Sequence, residues 1–215
     1  MEKVFVAVSG NIGVGKSTLV KRLAAKLDWE PIFEPQDESP YLADFYREMG
    51  VWAFHSQLFF LGRRLRQYQD FLAIPRSVIQ DRCVYEDAEV FARNLFEQGR
   101  ISSRDWDTYQ SLYQGVLNFI PPPDLLIYLK ADLPTLLGRV EKRGRDYEKG
   151  IERDYLVTLQ QLYERWIAGF RLAPVLVVPA DRLNFVSDET HLDQIAEVVM
   201  AKLAGHETPA FARQS

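Results

Sequence analysis

Eight residues near the start of the chain carry the clearest chemistry. Gly10-Asn11-Ile12-Gly13-Val14-Gly15-Lys16-Ser17 satisfies G-x-x-x-x-G-K-[ST] at every defined position. Glycines let a backbone curl until successive N–H groups point at one anion. A helix starting there adds the positive end of its dipole. In such a loop Lys16 reaches the β- and γ-phosphates of a nucleoside triphosphate, and the Ser17 hydroxyl faces Mg²⁺. The residues from Gly10 to Thr18 are therefore the expected triphosphate cradle.

Two further motifs bear on what receives the phosphoryl group. Glu34-Pro35 and Asp81-Arg82 both close short apolar runs. Ligands of open α/β sheets sit at the carboxyl ends of the strands, so both motifs should face the phosphate loop. A sugar hydroxyl attacks well only when a base takes its proton, and the Glu34 carboxylate suits that task. An acceptor that is already a phosphate would instead need an Arg clamp. Phe33 precedes Glu34, so no Arg stands there. Asp81 is placed to hold Mg²⁺, directly or through water. Arg82 is placed to pair with Glu34 and to stabilise charge on the moving phosphoryl group. Further along, Arg139, Lys142, Arg143 and Arg145 form a cationic run. It reads either as a solvated helix end or as a lid that closes arginines over ATP. The guanine-reading Asn-Lys-x-Asp and the switch Asp-x-x-Gly are absent from the sequence, which disfavours a regulatory GTPase.

The elements that must position these groups follow from periodicity. Val4–Val8, Pro31–Glu34, Ser77–Asp81, Leu125–Leu129 and Val175–Val178 read as strands, mostly continuous apolar runs. Helical spacing covers Lys16–Leu27, Tyr41–Met49, Ala53–Leu72, Glu86–Glu97, Arg104–Asn118, Leu133–Lys142, Arg153–Phe170 and Glu189–Leu203. Strands alternating with helices predict an α/β fold, a five-stranded parallel sheet covered on both faces. One domain should span residues 1–205, with a lid at about 139–150 and a frayed tail at 206–215. Of the 215 residues 47% are hydrophobic, enough for a large core. The net charge of −4 gives no reason to expect a nucleic-acid partner. Cys83 is the single cysteine, which excludes a disulfide framework. No apolar run is long enough to span a membrane, and no signal peptide pattern opens the chain. The expected compartment is the cytoplasm.

Taken together these motifs resemble the deoxynucleoside kinases, the family of deoxycytidine, deoxyguanosine and bacterial deoxyadenosine kinases. The resemblance runs from about Val4 to Ala168 and implies the P-loop kinase fold with an Arg-rich lid. It implies that Glu34 is the general base. It places Tyr46 on the 3′-hydroxyl of the sugar, shared with Glu148 from the lid. The stretch Trp52 to Gln57 resembles the family segment ending in the Gln that reads the base. Asp81-Arg82-Cys83-Val84-Tyr85-Glu86-Asp87 resembles the family's acidic-Arg-Ser motif, with Cys83 where Ser is usual. Arg139, Arg143 and Arg145 match the lid arginines. An Arg at 64 with an Asp at 87 marks the deoxycytidine and purine-deoxynucleoside members. The reaction implied is transfer from ATP, with Mg²⁺, to a deoxynucleoside 5′-hydroxyl, in a homodimer. A thymidylate kinase-like monophosphate kinase and a non-catalytic P-loop regulator are the alternatives.

The residues also bear on the base. Gln57 and Arg64 are seven apart on one predicted helix, so two turns bring them to one face about 10.5 Å apart. An ionised Asp87 only accepts hydrogen bonds, which favours the exocyclic amine of adenine or cytosine over the O4 of thymine. Arg64 donates to a ring nitrogen or to guanine O6. Adenine against guanine stays open. Cys83 follows Asp81-Arg82, which puts it near the phosphates. Arg neighbours would lower its thiol pKa there, whereas burial would leave it inert.

Overall fold

The computed structural model describes residues 3–33, 39–144, 153–206 and 211. Among them, five strands form one parallel sheet in the order β2-β3-β1-β4-β5. The strands are β1 (Phe5–Gly10), β2 (Glu30–Ile32), β3 (Val78–Asp81), β4 (Leu125–Lys130) and β5 (Val175–Pro179). Central β1 and β3 are buried almost throughout, as a sheet covered on both faces requires. Register pairs Val8 with Asp81 across β1 and β3, and Gly10 with Leu129 across β1 and β4. The ends of β1 and β3 are thereby level, and the residues beyond them meet.

The helices are α1 (Lys16–Leu27), α2 (Leu42–Arg47), α3 (Met49–Leu72), α4 (Val84–Glu86), α5 (Arg93–Glu97), α6 (Ser103–Leu117), α7 (Leu133–Arg143), α8 (Arg153–Gly169) and α9 (Glu189–Leu203). One face of the sheet is covered by a cluster that includes Leu19 and Leu23 of α1 and Ile195 and Val199 of α9. The other is covered by Leu61 of α3, Tyr109 of α6, and Leu159 and Tyr163 of α8. Asp132 and Asp188 cap α7 and α9 by accepting from backbone N–H groups of their first turns. Pro134 sits in the first turn of α7, where its missing N–H has no cost.

The sequence-based boundaries differ from the observed ones mainly by a few terminal residues. One difference has consequences. The single helix expected over Glu86–Glu97 is α4, a π-helical segment at Asp87–Ala92, and α5. Periodicity does not reveal such a widened turn, because the extra residue per turn is absorbed locally. Asp87 and Phe91, both within the widened segment, line the central cavity.

Candidate active site

The strand β1 delivers the chain into the loop 10–15, which wraps the start of α1. Gly13 has φ +82 and Gly15 has φ +105, both left-handed. Gly15 is the N-cap of α1, and no side chain caps that helix. The first-turn N–H groups are thus left for an anion. Lys16 is buried, and its Nζ donates to the carbonyls of Gly10 (2.7 Å) and Asn11 (3.1 Å). The Asn11 side chain accepts from the Ile12 N–H and donates to the Leu156 carbonyl, so α8 buttresses the loop.

The Ser17 hydroxyl donates to Asp81 Oδ2 at 2.5 Å, bringing together the two groups expected at Mg²⁺. Asp81 Oδ1 is buried and has no hydrogen-bond partner among the described residues. A hydroxyl and a carboxylate with an oxygen to spare form a hard-oxygen set that fits Mg²⁺. Arg82 follows in the left-handed region, φ +65, which is costly for a side chain of that size. Its guanidinium lies 4.2 Å from the centroid of the Phe91 ring, and its Nη1 is 3.5 Å from Glu86 Oε1. The partner expected for Arg82 was Glu34. Glu34, Pro35, Arg145 and Glu148 lie outside the described residues, and within them it is Glu86 that faces Arg82.

A cavity of about 770 Å³ extends from these groups to Tyr46, Gln57 and Asp87. That is the size of a small-molecule site. Its wall includes Ile12, Gly13, Gly15, Lys16, Ser17 and Thr18 of the loop, with Asp81 and Arg82 beside them. Tyr46, Gln57 and Asp87 line it further in, and Arg139, Lys142 and Arg143 overhang it from α7. Arg64 does not line the cavity. It is buried behind Asp87, with Nε donating to Asp87 Oδ2 at 2.6 Å and Nη2 reaching Oδ1 at 3.5 Å. Its Nη1 donates to Gln67 Oε1 and to the Asp81 carbonyl. Arg64 and Gln57 share a helix face, and the Asp87 carboxylate holds the guanidinium.

The sequence of this chain decides its family. The deoxynucleoside kinase profile matches residues 6–204. The chain belongs to the deoxynucleoside kinase family. It is 38% identical over 200 residues to the deoxyadenosine/deoxycytidine kinase of Bacillus subtilis (strain 168), covering 90% of this chain and 92% of that one. It is 36% identical to the deoxyguanosine kinase of the same organism, over 89% of this chain and 94% of that one. A solved deoxyadenosine kinase from M. mycoides with bound dCTP superposes with a TM-score of 0.77 at 30% identity, covering 94% of this chain and 99% of that chain. The protein is accordingly a phosphotransferase acting on small-molecule deoxynucleosides, with the P-loop kinase fold.

Other parts of the site of this deoxynucleoside kinase were not legible beforehand. Asn184, Phe185, Val186 and Ser187, from the segment after β5, also line the cavity. Asn184 Oδ1 accepts from the N–H groups of Val186 and Ser187, which folds the segment after β5 into a tight turn. The Asn and Ser were the only sequence signal of that turn. Phe185 is buried against Gly15, so close that a Cβ there would stand 3.3 Å from its ring. Arg139 was expected to act on phosphate from the lid. Its Nη1 donates to the Val14 carbonyl and its Nη2 to the Ala180 carbonyl, so it also fastens the phosphate loop to the end of β5.

Of the two readings of Cys83, the structure shows the buried one. Its thiol is 3.8 Å from Ser9 Oγ. Burial first, and the nearby Glu86 carboxylate second, push its pKa up to about 12. Its charged neighbours Glu86 and Asp87 are anions and oppose a thiolate, as burial does.

Proposed function

We propose that this kinase transfers the γ-phosphoryl group of ATP, with Mg²⁺, to the 5′-hydroxyl of a purine deoxynucleoside, with deoxycytidine the other base its polar pocket admits. One observation carries the base preference: Asp87 stands on the cavity wall as an acceptor, held there by a buried Arg64. A carboxylate fixed in that role favours an exocyclic amine and repels a carbonyl oxygen. The names of the relatives support the same set of bases.

The residues divide the work as follows. The loop N–H groups and Lys16 bind the triphosphate, and Ser17 and Asp81 hold the cation. The cation, when bound, neutralises phosphate charge. Glu34 takes the proton of the 5′-hydroxyl as it attacks. Arg82 and the lid arginines Arg143 and Arg145 stabilise the charge spread over the equatorial oxygens. Gln57 reads the base beside Asp87, while Tyr46 and Glu148 hold the 3′-hydroxyl. We place this single-domain enzyme in the cytoplasm as a homodimer; among the described residues no helix is long and apolar enough to cross a membrane.

A coupled assay with ATP and each of the four deoxynucleosides tests the reading. Activity on the purine deoxynucleosides well above thymidine is expected, and a preference for thymidine would overturn it. Glu34→Gln should lower kcat by roughly 10²–10⁴ with little change in nucleoside affinity. Near wild-type turnover in that variant would remove Glu34 from the chemistry.

A further inference from the structure

Glu86 takes no part in the reaction as described so far, yet it is completely buried directly beneath the cations that do. Its Oε1 is 3.5 Å from Arg82 Nη1 and shares a hydrogen bond with the Tyr163 hydroxyl. The oxygen of that same hydroxyl is 2.9 Å from the Gly10 carbonyl, so its single proton is shared between the Glu86 and Gly10 oxygens. The Gly10 carbonyl in turn accepts from Lys16 Nζ. One buried carboxyl is thus linked to both cations of the phosphate site, to Arg82 directly and to Lys16 through Tyr163 and the first glycine of the loop.

Physical chemistry gives this placement a purpose. Lys16 and Arg82 are both buried, and two desolvated like charges near one site cost free energy unless an anion accompanies them. Arg82 must also be fixed in direction, since preorganised charge stabilises a transition state without reorganising during the reaction. Three constraints meet on it: the left-handed backbone, the Phe91 ring beneath the guanidinium, and the Glu86 carboxyl. Burial raises the Glu86 pKa above the usual carboxylate value, and the Arg82 and Lys16 charges offset only part of that rise.

We propose that Glu86 is a positioning residue of the phosphoryl-transfer site, which aims Arg82 and, through Tyr163 on α8, secures the Gly10 carbonyl that anchors Lys16. The inference rests on the deoxynucleoside kinase reaction and requires no particular base. Glu86→Gln keeps the shape and the acceptor for Tyr163 but removes the charge. It should lower kcat by about 10- to 100-fold on whichever deoxynucleoside the wild type uses best. KM for ATP should stay equal or fall, because an anion beneath the phosphates has been deleted. A merely structural role would instead weaken binding and turnover together. Tyr163→Phe should lower kcat about three- to tenfold. Combined with Glu86→Gln it should add little, since both act through one link. Glu86→Gln with kcat within twofold of wild type, or with KM for ATP raised in step with the loss of kcat, overturns the proposal. So does a double variant whose losses multiply. If Glu86→Gln does not yield folded protein, Tyr163→Phe decides: kcat within twofold of wild type defeats the proposal. A wild type inactive on every deoxynucleoside would instead strike at the reaction itself, a distinguishable failure.

Discussion

Arg64 and Asp87, the pair proposed to set base specificity, form an ion pair between side chains exposed by only 3% and 6%. Thymine would bring its O4 against the Asp87 carboxylate, an unpaired and repulsive contact. Sites with mismatched polar groups discriminate by up to roughly 10⁴. Removing one partner alone would strand a buried charge, at a cost of about 3–5 kcal/mol. The informative variant is therefore Arg64→Met with Asp87→Ala. It should raise kcat/KM for thymidine relative to deoxyadenosine at least about tenfold, or about 1.4 kcal/mol. A folded, active double variant with an unchanged preference order would show that specificity lies elsewhere. Cys83 sets a second expectation at this scale. With its thiol near pKa 12 and buried, iodoacetamide at pH 8 should label it only as fast as the protein unfolds. Rapid labelling of the native enzyme, measured by mass spectrometry, would contradict the burial.

The elements explain why so few residues suffice at the site. The phosphate loop is clamped between α7 and α8 rather than standing free. Asn11 is bonded to α8, and Val14 is bonded to Arg139 of α7. Gly13 touches α7 closely: a Cβ there would lie 2.8 Å from Val140 Cγ2 and 2.9 Å from the Leu136 carbonyl. Helix backbone cannot yield as a flexible side chain does. Gly13→Ala also forces a non-glycine residue to φ +82, a conformation costing about 1–3 kcal/mol. Urea denaturation should show a loss of at least that size, with KM for ATP raised about tenfold or more. Unchanged values of both would mean that loop and α7 separate readily. The π-helical segment is the other local device. It carries Asp87 and Phe91, four residues apart on one face, both toward the cavity in which Arg82 lies over the Phe91 ring.

Assembly belongs to the whole molecule. The apolar stripe of α3 serves the core first. In the structure Leu61 is buried, and Phe54, Leu58, Leu65 and Tyr68 pack against the core cluster beside it. The large apolar side chains left exposed include Leu72 at the end of α3, Leu112 on α6 and Phe119 just beyond it. A second copy would cover them, and their solvation otherwise costs free energy. Light scattering at micromolar concentration should give twice the 24.9 kDa chain mass. The monomer mass would count against the homodimer.

What the sequence by itself determined was everything governed by local spacing. The phosphate loop, the parallel strands and the long helices follow from glycine positions and from periods of two kinds, which act within a few residues. Asp81 was placed near Ser17 by one topological rule, that ligands sit at strand carboxyl ends. The tertiary structure alone decided which side chain each functional group meets. Arg64 bonds Gln67 and the Asp81 carbonyl besides Asp87, and it does not line the cavity. Tyr163 and Gly10 lie 153 residues apart, and no period links them. Whether Cys83 became a thiolate depended on burial, which no spacing in the sequence displayed. The same holds for Phe185, whose place against Gly15 follows from the path of the chain after β5. Partner choice among buried polar groups is settled by desolvation and packing in three dimensions, and those forces leave no spacing behind.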